Sequence, residues 1–228
     1  MFCTVPTMKL SACVAGVLLV SLAACAAPQG SSPEGSNKVY EVGDIGPGGG
    51  IVFFVSEQNI NCATPGCRYL EVSPPEAEVH RMWVNLDGIP VSVEVDGAVG
   101  AGLGTGQQNS LDISRHEGAT AENSAAVYAL NYTHGGKSDW FLPSKYEMNE
   151  LCKFAHFQPT GDPSVLCKMT ANIRDGFHAD MYWSSSEDIG IGATYPYLNN
   201  AWSVDMNAGI PKSQTKNYEY RVRPIRAF

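Results

Sequence analysis

The C-terminal part of the chain alternates apolar and polar residues, and this alternation constrains the fold more than any other feature. In residues 201–207 every second side chain is apolar, and Ala208-Gly209 then offers a turn. A period of two is typical of a half-buried strand. Residues 181–185, 210–216 and 220–225 extend the pattern, so a run of antiparallel strands is predicted. Pro211 and Pro224 restrict their strands to sheet edges or strand ends.

The earlier part of the chain adds strands and then helices. Residues 51–55, 68–72 and 91–95 are short apolar or alternating segments, which predict three strands. A glycine-rich loop is predicted next, over residues 97–110. One helix is predicted to begin at the N-cap Thr120 and to stop at Gly135. A second begins at Ser144, which forms a capping-box pattern with Glu147. Strands, two helices and more strands predict an α+β fold.

The first 37 residues read as targeting and linker segments. Residues 1–24 combine a basic start near Lys9, a short apolar run and small residues, which is typical of a secretory signal. The sequence Leu-Ala-Ala-Cys that ends at Cys25 resembles the lipobox of bacterial lipoproteins. It implies a lipid on Cys25, a membrane partner through that lipid, and, with alanine next, an outer-membrane or cell-surface location. Residues 25–37 then form a flexible tether, and residues 38–228 one domain.

Cysteine usage agrees with an exported chain. Once the leader and the lipidated residue are set aside, four cysteines remain, and an even count in an exported protein implies two disulfides. Loop proximity favours pairing Cys62 with Cys67 and Cys152 with Cys167, although three connectivities exist on paper. Neither pair has the two-residue spacing of zinc ligands, so no metal site is predicted.

The sequence contains no recognisable catalytic set. The glycine-rich residues 100–106 lack the Gly-Lys-Ser/Thr ending of a phosphate loop, and the five histidines form no i, i+4 pair. We therefore expect neither an enzyme nor a cofactor. The net charge of −8 argues against nucleic acid or a highly sulfated polymer as a partner.

Several motifs, in order, resemble one bacterial family. They are GDIGPGGGIVFF (43–54), GLGTGQQNS (102–110), GGKSDWFLPSKYEMNEL (135–151), YWSSSE (182–187), AWSVDMNAG (201–209) and RVRPIRAF (221–228). The family is the domain of unknown function found at the C-terminus of the Legionella collagen-like adhesin. The resemblance implies a C-type lectin-like fold, in which two helices flank a small twisted antiparallel sheet and the termini lie close together. It also implies a surface-exposed binding module for a glycan or protein ligand. The calcium-dependent sugar motif of true C-type lectins is not present.

If the fold is lectin-like, the last strands and their loops form the exposed face. Tyrosine and asparagine together combine rigid amphipathic area with adaptable hydrogen bonding, which is typical of recognition surfaces. Lysines add positive charge to the same region. The candidate ligand-binding residues are Tyr195, Tyr197, Asn199, Asn200, Asn207, Lys212, Lys216, Asn217, Tyr218 and Tyr220.

Three alternatives to this interpretation stay open. The candidate residues can be ordinary turn residues and cross-strand pairs. The protein can also be a structural lipoprotein that contacts other components of the cell envelope. Finally, tyrosine and asparagine are residues that adenine-directed diversification generates, so a diversified ligand-binding protein is a further hypothesis. Trp140, Trp183 and Trp202 are predicted to fill the core rather than to bind sugars.

Overall fold

Two separate β-sheets and three α-helices make up the part of the chain that the structure, a computed structural model, describes. The described residues are 38–60, 62, 65–84, 94–190 and 199–228. The predicted signal, Cys25, the tether, Tyr195, Tyr197 and residues 91–93 of a predicted strand lie outside them. Residues 94 and 95, the end of that predicted strand, are not in a strand.

The strands form one sheet of three and one of five. The first has the order β1 (Ile51–Val55), β2 (Tyr69–Val72), β8 (Ile225–Ala227). The second has the order β3 (Val79–Met82), β7 (Glu219–Val222), β4 (Met181–Asp188), β5 (Asn200–Asp205), β6 (Ile210–Thr215). Neighbouring strands are antiparallel except for β4 and β7, which are parallel. The α+β prediction is confirmed. The prediction of a single antiparallel sheet is wrong, because the strands form two sheets. Pro211 lies in β6, which is an edge strand as predicted.

Three helices, not the two expected, pack on these sheets. They are α1 (Gly106–Ser114), α2 (Ala125–Asn131) and α3 (Lys145–Ala155). The capping box at Ser144 and Glu147 is present as predicted. The N-cap of α2 is Ser124 rather than Thr120, because the Ser124 hydroxyl accepts from the Val127 N–H.

The prediction of a loop over residues 97–110 is wrong at its end, where α1 begins. The helical pattern is hard to see because α1 buries polar residues: Asn109 and Ser110 are as buried as Ile113. Gly106 must be glycine, since a Cβ there would lie 2.2 Å from a Glu147 carboxylate oxygen. The glycines thus allow a close approach of α1 to α3 instead of marking a structureless segment.

Both disulfides pair as loop proximity favours. Cys62 is joined to Cys67 and Cys152 to Cys167, with Cα–Cα distances of 6.6 and 5.9 Å. His156 lies close enough to the second pair to share a metal ion with two thiolates. However, the two sulfurs are covalently joined, and the His156 ring already contacts the Thr170 hydroxyl and the Met206 carbonyl. This group is therefore a structural crosslink.

A glycine clasp closes the three-stranded sheet at the N-terminal side. The Glu71 carboxylate on β2 is buried and accepts the N–H groups of Gly48 and Gly50 at 3.0 Å. Arg226 on β8 donates to the same carboxylate at 2.8 Å. A Cβ on Gly46 would lie 2.4 Å from Glu71, which explains the glycine run. Tyr40 packs edge-on against Phe228, so the beginning and end of Val39–Phe228 meet.

The tryptophans divide between core and surface. Trp83, Trp140 and Trp183 are fully buried, which is the core role expected for the last two. Trp202 is only partly buried, and the Lys145 ammonium lies 3.0 Å from the centre of its ring. The expectation of a core role is therefore wrong for Trp202. None of the helices in the described ranges is long and apolar enough to cross a bilayer.

Candidate functional site

The β5–β6 hairpin separates the predicted ligand residues along its length. Asn200 pairs with Thr215 at one end, and Asp205 pairs with Ile210 at the other. We call these the Thr215 end and the Ile210 end. The residues at or next to the Thr215 end are Asn199, Asn200, Lys216, Asn217 and Tyr218, whereas Asn207 lies beyond the Ile210 end. The set is therefore not one cluster.

The hairpin also divides the residues between its two faces, because directly paired residues of antiparallel strands share a face. Asn200 shares a face with Trp202 and donates to the Ser213 hydroxyl at 3.1 Å. Lys212 is on the opposite face and forms an ion pair with Asp205 at 2.7 Å. Tyr220 is on that opposite face too, since its hydroxyl donates to Gln214.

Lys216 does not belong to a ligand surface, although the sequence placed it among the candidate ligand-binding residues. Its side chain is only 3% exposed and pairs with the buried Glu187 carboxylate. Burial lowers the pKa of Lys216, against the pull of Glu187. The ammonium also lies 4.9 Å from the centre of the Trp83 ring. Lys216 is an internal support, and its backbone N–H donates to the Asn199 carbonyl.

The structure brings together five residues that we call the tyrosine surface, of which Tyr218 is exposed and the others are partly buried: Arg81, Tyr128, Gln214, Tyr218 and Tyr220. Tyr218 is 51% exposed and stacks on Tyr220 with ring centres 5.7 Å apart. Tyr220 lies opposite Arg81 in the β3–β7 pair. Burial raises the pKa of Tyr220, so its phenol stays protonated. Stacked phenol rings beside a guanidinium offer apolar faces and hydrogen-bond donors to a ligand.

A buried tryptophan holds this surface in place. The Trp183 indole N–H donates to the carbonyls of both Arg81 and Tyr218, at 3.1 and 3.2 Å. Its ring also packs under Tyr220 with centres 4.7 Å apart. One buried side chain thus fixes the backbones that carry two residues of the tyrosine surface. A surface arranged in this way loses little conformational freedom when a ligand binds.

Arg81 connects the tyrosines to a groove beside α2. Its guanidinium lies 5.4 Å from the centre of the Tyr128 ring, and its Nε donates to the Ala121 carbonyl at 2.9 Å. The groove has a volume of about 430 Å³, and its lining includes Arg81, Tyr128 and Tyr132. Burial raises the pKa of Tyr128, while the nearby Arg81 charge opposes that rise. The groove offers aromatic walls with one guanidinium, from Arg81, and one carboxyl group, from Glu122.

Sequence reasoning missed Arg81, Tyr128 and Gln214. Strand β3, which carries Arg81, was not predicted because its sequence, VHRM, has neither a strong alternation nor flanking turn residues. Tyr128 was interpreted only as part of the apolar face of a helix. No local signal could bring them together, since the β3–β7 pairing joins residues about 140 positions apart in the chain.

Comparison with known proteins relates the second half of the chain to one family. A family model described as the Lcl C-terminal domain matches residues 99–226, from just before α1 to β8. Strands β1, β2 and β3 lie before the match. A search of the curated proteins gives no match.

Proposed function

The chain belongs to the Lcl C-terminal domain family, and we propose that it is a surface-displayed binding module that recognises a glycan or protein ligand through the tyrosine surface. The family is associated with an adhesin, which favours an exposed location and a binding role over catalysis. The observation that carries the proposal is the exposed Tyr218–Tyr220 stack held by Trp183.

The finer fold assignment is part of the same proposal. We infer a C-type lectin-like scaffold from the small, mostly antiparallel sheets, the helices packed on them and the contact between Tyr40 and Phe228. A scaffold with adjacent ends can be displayed from a single tether and can leave its far loops in the medium. An experimental structure compared with lectin-like domains would test this inference.

Anchoring through Cys25 is also proposed rather than observed. The lipobox resemblance supports it, and several acyl chains on one residue give stable attachment. Cell fractionation of the full chain and of Cys25→Ser tests it directly. The unchanged chain should be in the membrane fraction, and the variant should be released. If both fractionate alike, the lipid anchor is wrong.

The ligand-binding role is tested on glycan and protein arrays with the full mature chain. For any ligand found, Tyr218→Ala should weaken binding by at least about tenfold, because exposed aromatic anchors commonly dominate an interface. Tyr146→Ala is the matched control, since Tyr146 is also exposed but lies on α3. Equal effects of the two changes would remove the tyrosine surface from the proposal.

A further inference from the structure

A second surface, far from the tyrosines, exposes apolar side chains around the Cys152–Cys167 disulfide. It comprises Phe157, Val165, Leu166, Met169 and Ile210, and we call it the apolar loop surface. Met169 is the most exposed of them at 66%, and Phe157 is 57% exposed. These residues come from the end of α3, from the loop after it and from the start of β6.

Backbone contacts bring these segments together. The Gln158 side chain exchanges two hydrogen bonds with the backbone of Lys168. A Cβ on Gly209 would lie 2.7 Å from the Met169 nitrogen, so the β5–β6 turn lies against the loop. Asn149 on α3 holds the loop from below, because it donates to the Val165 carbonyl and accepts the Cys167 N–H, both at 2.9 Å.

Phe157 is an exposed residue that the chain holds in an unusual backbone conformation. Among the described residues it is the non-glycine position with positive φ, at 57°. Glycine is the usual residue directly after a helix in this conformation. The chain instead places a large apolar ring there, and the Arg174 guanidinium covers it at 4.1 Å from the ring centre. An exposed phenylalanine in an unfavourable backbone conformation does not serve the core, which indicates a contact role.

We propose that the apolar loop surface rests on the lipid bilayer to which the chain is anchored. The proposal depends on the lipid anchor at Cys25. Twelve residues, 26–37, separate that cysteine from the domain, and the coil that their composition predicts would span roughly 20 Å. A domain of about 190 residues has a radius of gyration of about 16 Å. The tether therefore keeps the domain within reach of the bilayer, and an apolar surface decides which side contacts it.

The shape and charge of the surface suit a lipid partner. Its side chains project from loops and a turn, as expected of residues that enter the interface region of a bilayer singly. The exposed Lys168 lies among them, and its long aliphatic stem can keep the ammonium at the headgroups. Ile210 begins β6 and Tyr218 lies beyond its other end, and the strand is about 17 Å long. Docking would thus leave the tyrosine surface facing the medium.

The test places a fluorescent reporter on each side of the anchored full chain. Met169→Trp reports on the apolar loop surface, and Val99→Trp is the matched control, because Val99 is also exposed and follows Ala98, which bonds Glu187 near the Thr215 end. Each variant is reconstituted in vesicles of phosphatidylethanolamine and phosphatidylglycerol whose acyl chains are brominated. The fluorescence of the unchanged chain is subtracted from that of each variant, so that the signal of the native tryptophans is removed.

We expect bromine to reduce the Met169→Trp signal by about twofold or more and to leave the Val99→Trp signal unchanged. Equal quenching at the two positions, or none at either, overturns the docking while the anchor stands. A chain that fails to associate with the vesicles overturns the anchor and the docking together. Ligand binding at Tyr218 is read separately on the arrays. A concentration-dependent shift of the Met169→Trp emission without lipid would assign the surface to a second copy instead.

Discussion

The two ends of strand β6 are built differently, although one short hairpin carries both. At the Thr215 end, buried polar side chains fix the backbone: Lys216 pairs with Glu187, and the Trp183 indole holds the carbonyl of Tyr218. At the Ile210 end, a disulfide and an amide side chain restrain a loop whose apolar residues face outward. The first arrangement gives a rigid surface with directional groups, and the second gives an adaptable surface without them. The proposed directional recognition and the proposed non-directional contact thus lie at separate ends of one sheet.

The largest expected effect follows from breaking the buried ion pair at the Thr215 end. Lys216→Ala leaves the Glu187 carboxylate buried without its cation, and removing one partner of a buried pair costs about 3–5 kcal/mol. Chemical denaturation should show this loss in the free energy of unfolding. The double change Lys216→Met with Glu187→Leu should recover most of it, since an apolar pair carries no desolvation cost. If the single and double changes destabilise equally, the ion pair does not organise this end.

The corresponding change at the Ile210 end removes the disulfide that restrains the loop there. Cys152→Ser with Cys167→Ser opens a 15-residue loop, for which the chain-entropy model predicts a loss of about 3 kcal/mol. Thermal unfolding measures the loss. Ligand binding at Tyr218 should survive below the lowered melting temperature, because the Trp183 contacts do not involve the loop. A parallel loss of ligand affinity would show that the two ends are coupled.

A third prediction concerns the buried carboxyl group near the rigid end. Burial raises the pKa of Glu147 to about 7, although its carboxylate accepts the N–H groups of Ser144 and Gly104. The pKa of Glu147 is higher in the folded state than in the unfolded state, so the folded state keeps the proton up to a higher pH. Its contribution to stability is therefore present at acidic pH and is lost as pH rises from about 4.5 to about 7, by about 3 kcal/mol in total.

Glu147→Gln tests this prediction, since glutamine keeps an acceptor oxygen but does not titrate. Unfolding free energies should be measured from pH 4.5 to 8 for both chains. The slope of the unfolding free energy against pH should differ between the two chains below about pH 7 and should be the same above it. Identical pH dependence of the two chains would mean that Glu147 is ionised throughout the range and does not contribute to this dependence.

The smallest expected effect is at Phe157. Because a non-glycine residue in the left-handed region costs roughly 1–2 kcal/mol, Phe157→Gly should stabilise the domain by about 1 kcal/mol, after the loss of the Arg174 contact. Denaturant titration measures it. Phe157→Ala is the control, since it removes the ring but keeps the strain. A destabilising Phe157→Gly would show that the ring contributes to packing rather than to an external contact.

The parts of the fold that the sequence predicted are those whose signals are local. The capping box of α3, the edge position of Pro211 and the alternation in β5 each depend on neighbouring residues. Helix α1 was missed because its buried face includes Asn109 and Ser110, which bond to backbone groups and to other side chains. Hydrophobic periodicity cannot detect a helix whose polar residues are satisfied by distant partners.

The candidate site was only partly predictable for the same reason. Tyr218 and Tyr220 stood out by composition, whereas Arg81 reaches them through a strand pairing that no short motif encodes. Lys216 was misassigned because a lysine in a polar segment is normally solvated. Its burial depends on Glu187, which lies 29 residues earlier. Long-range ion pairs of this kind become visible only in three dimensions.

The glycine clasp sets the practical limits of this domain. A protein cut at residue 99, where the family match begins, would lack β1, β2 and β3 and would leave β8 without the strand with which it pairs in the sheet. Arg226 would lose the Glu71 carboxylate, and the apolar surface that Phe53 and Leu70 now cover would face water. Such a fragment should aggregate, so recombinant work on this family member needs to begin before Tyr40.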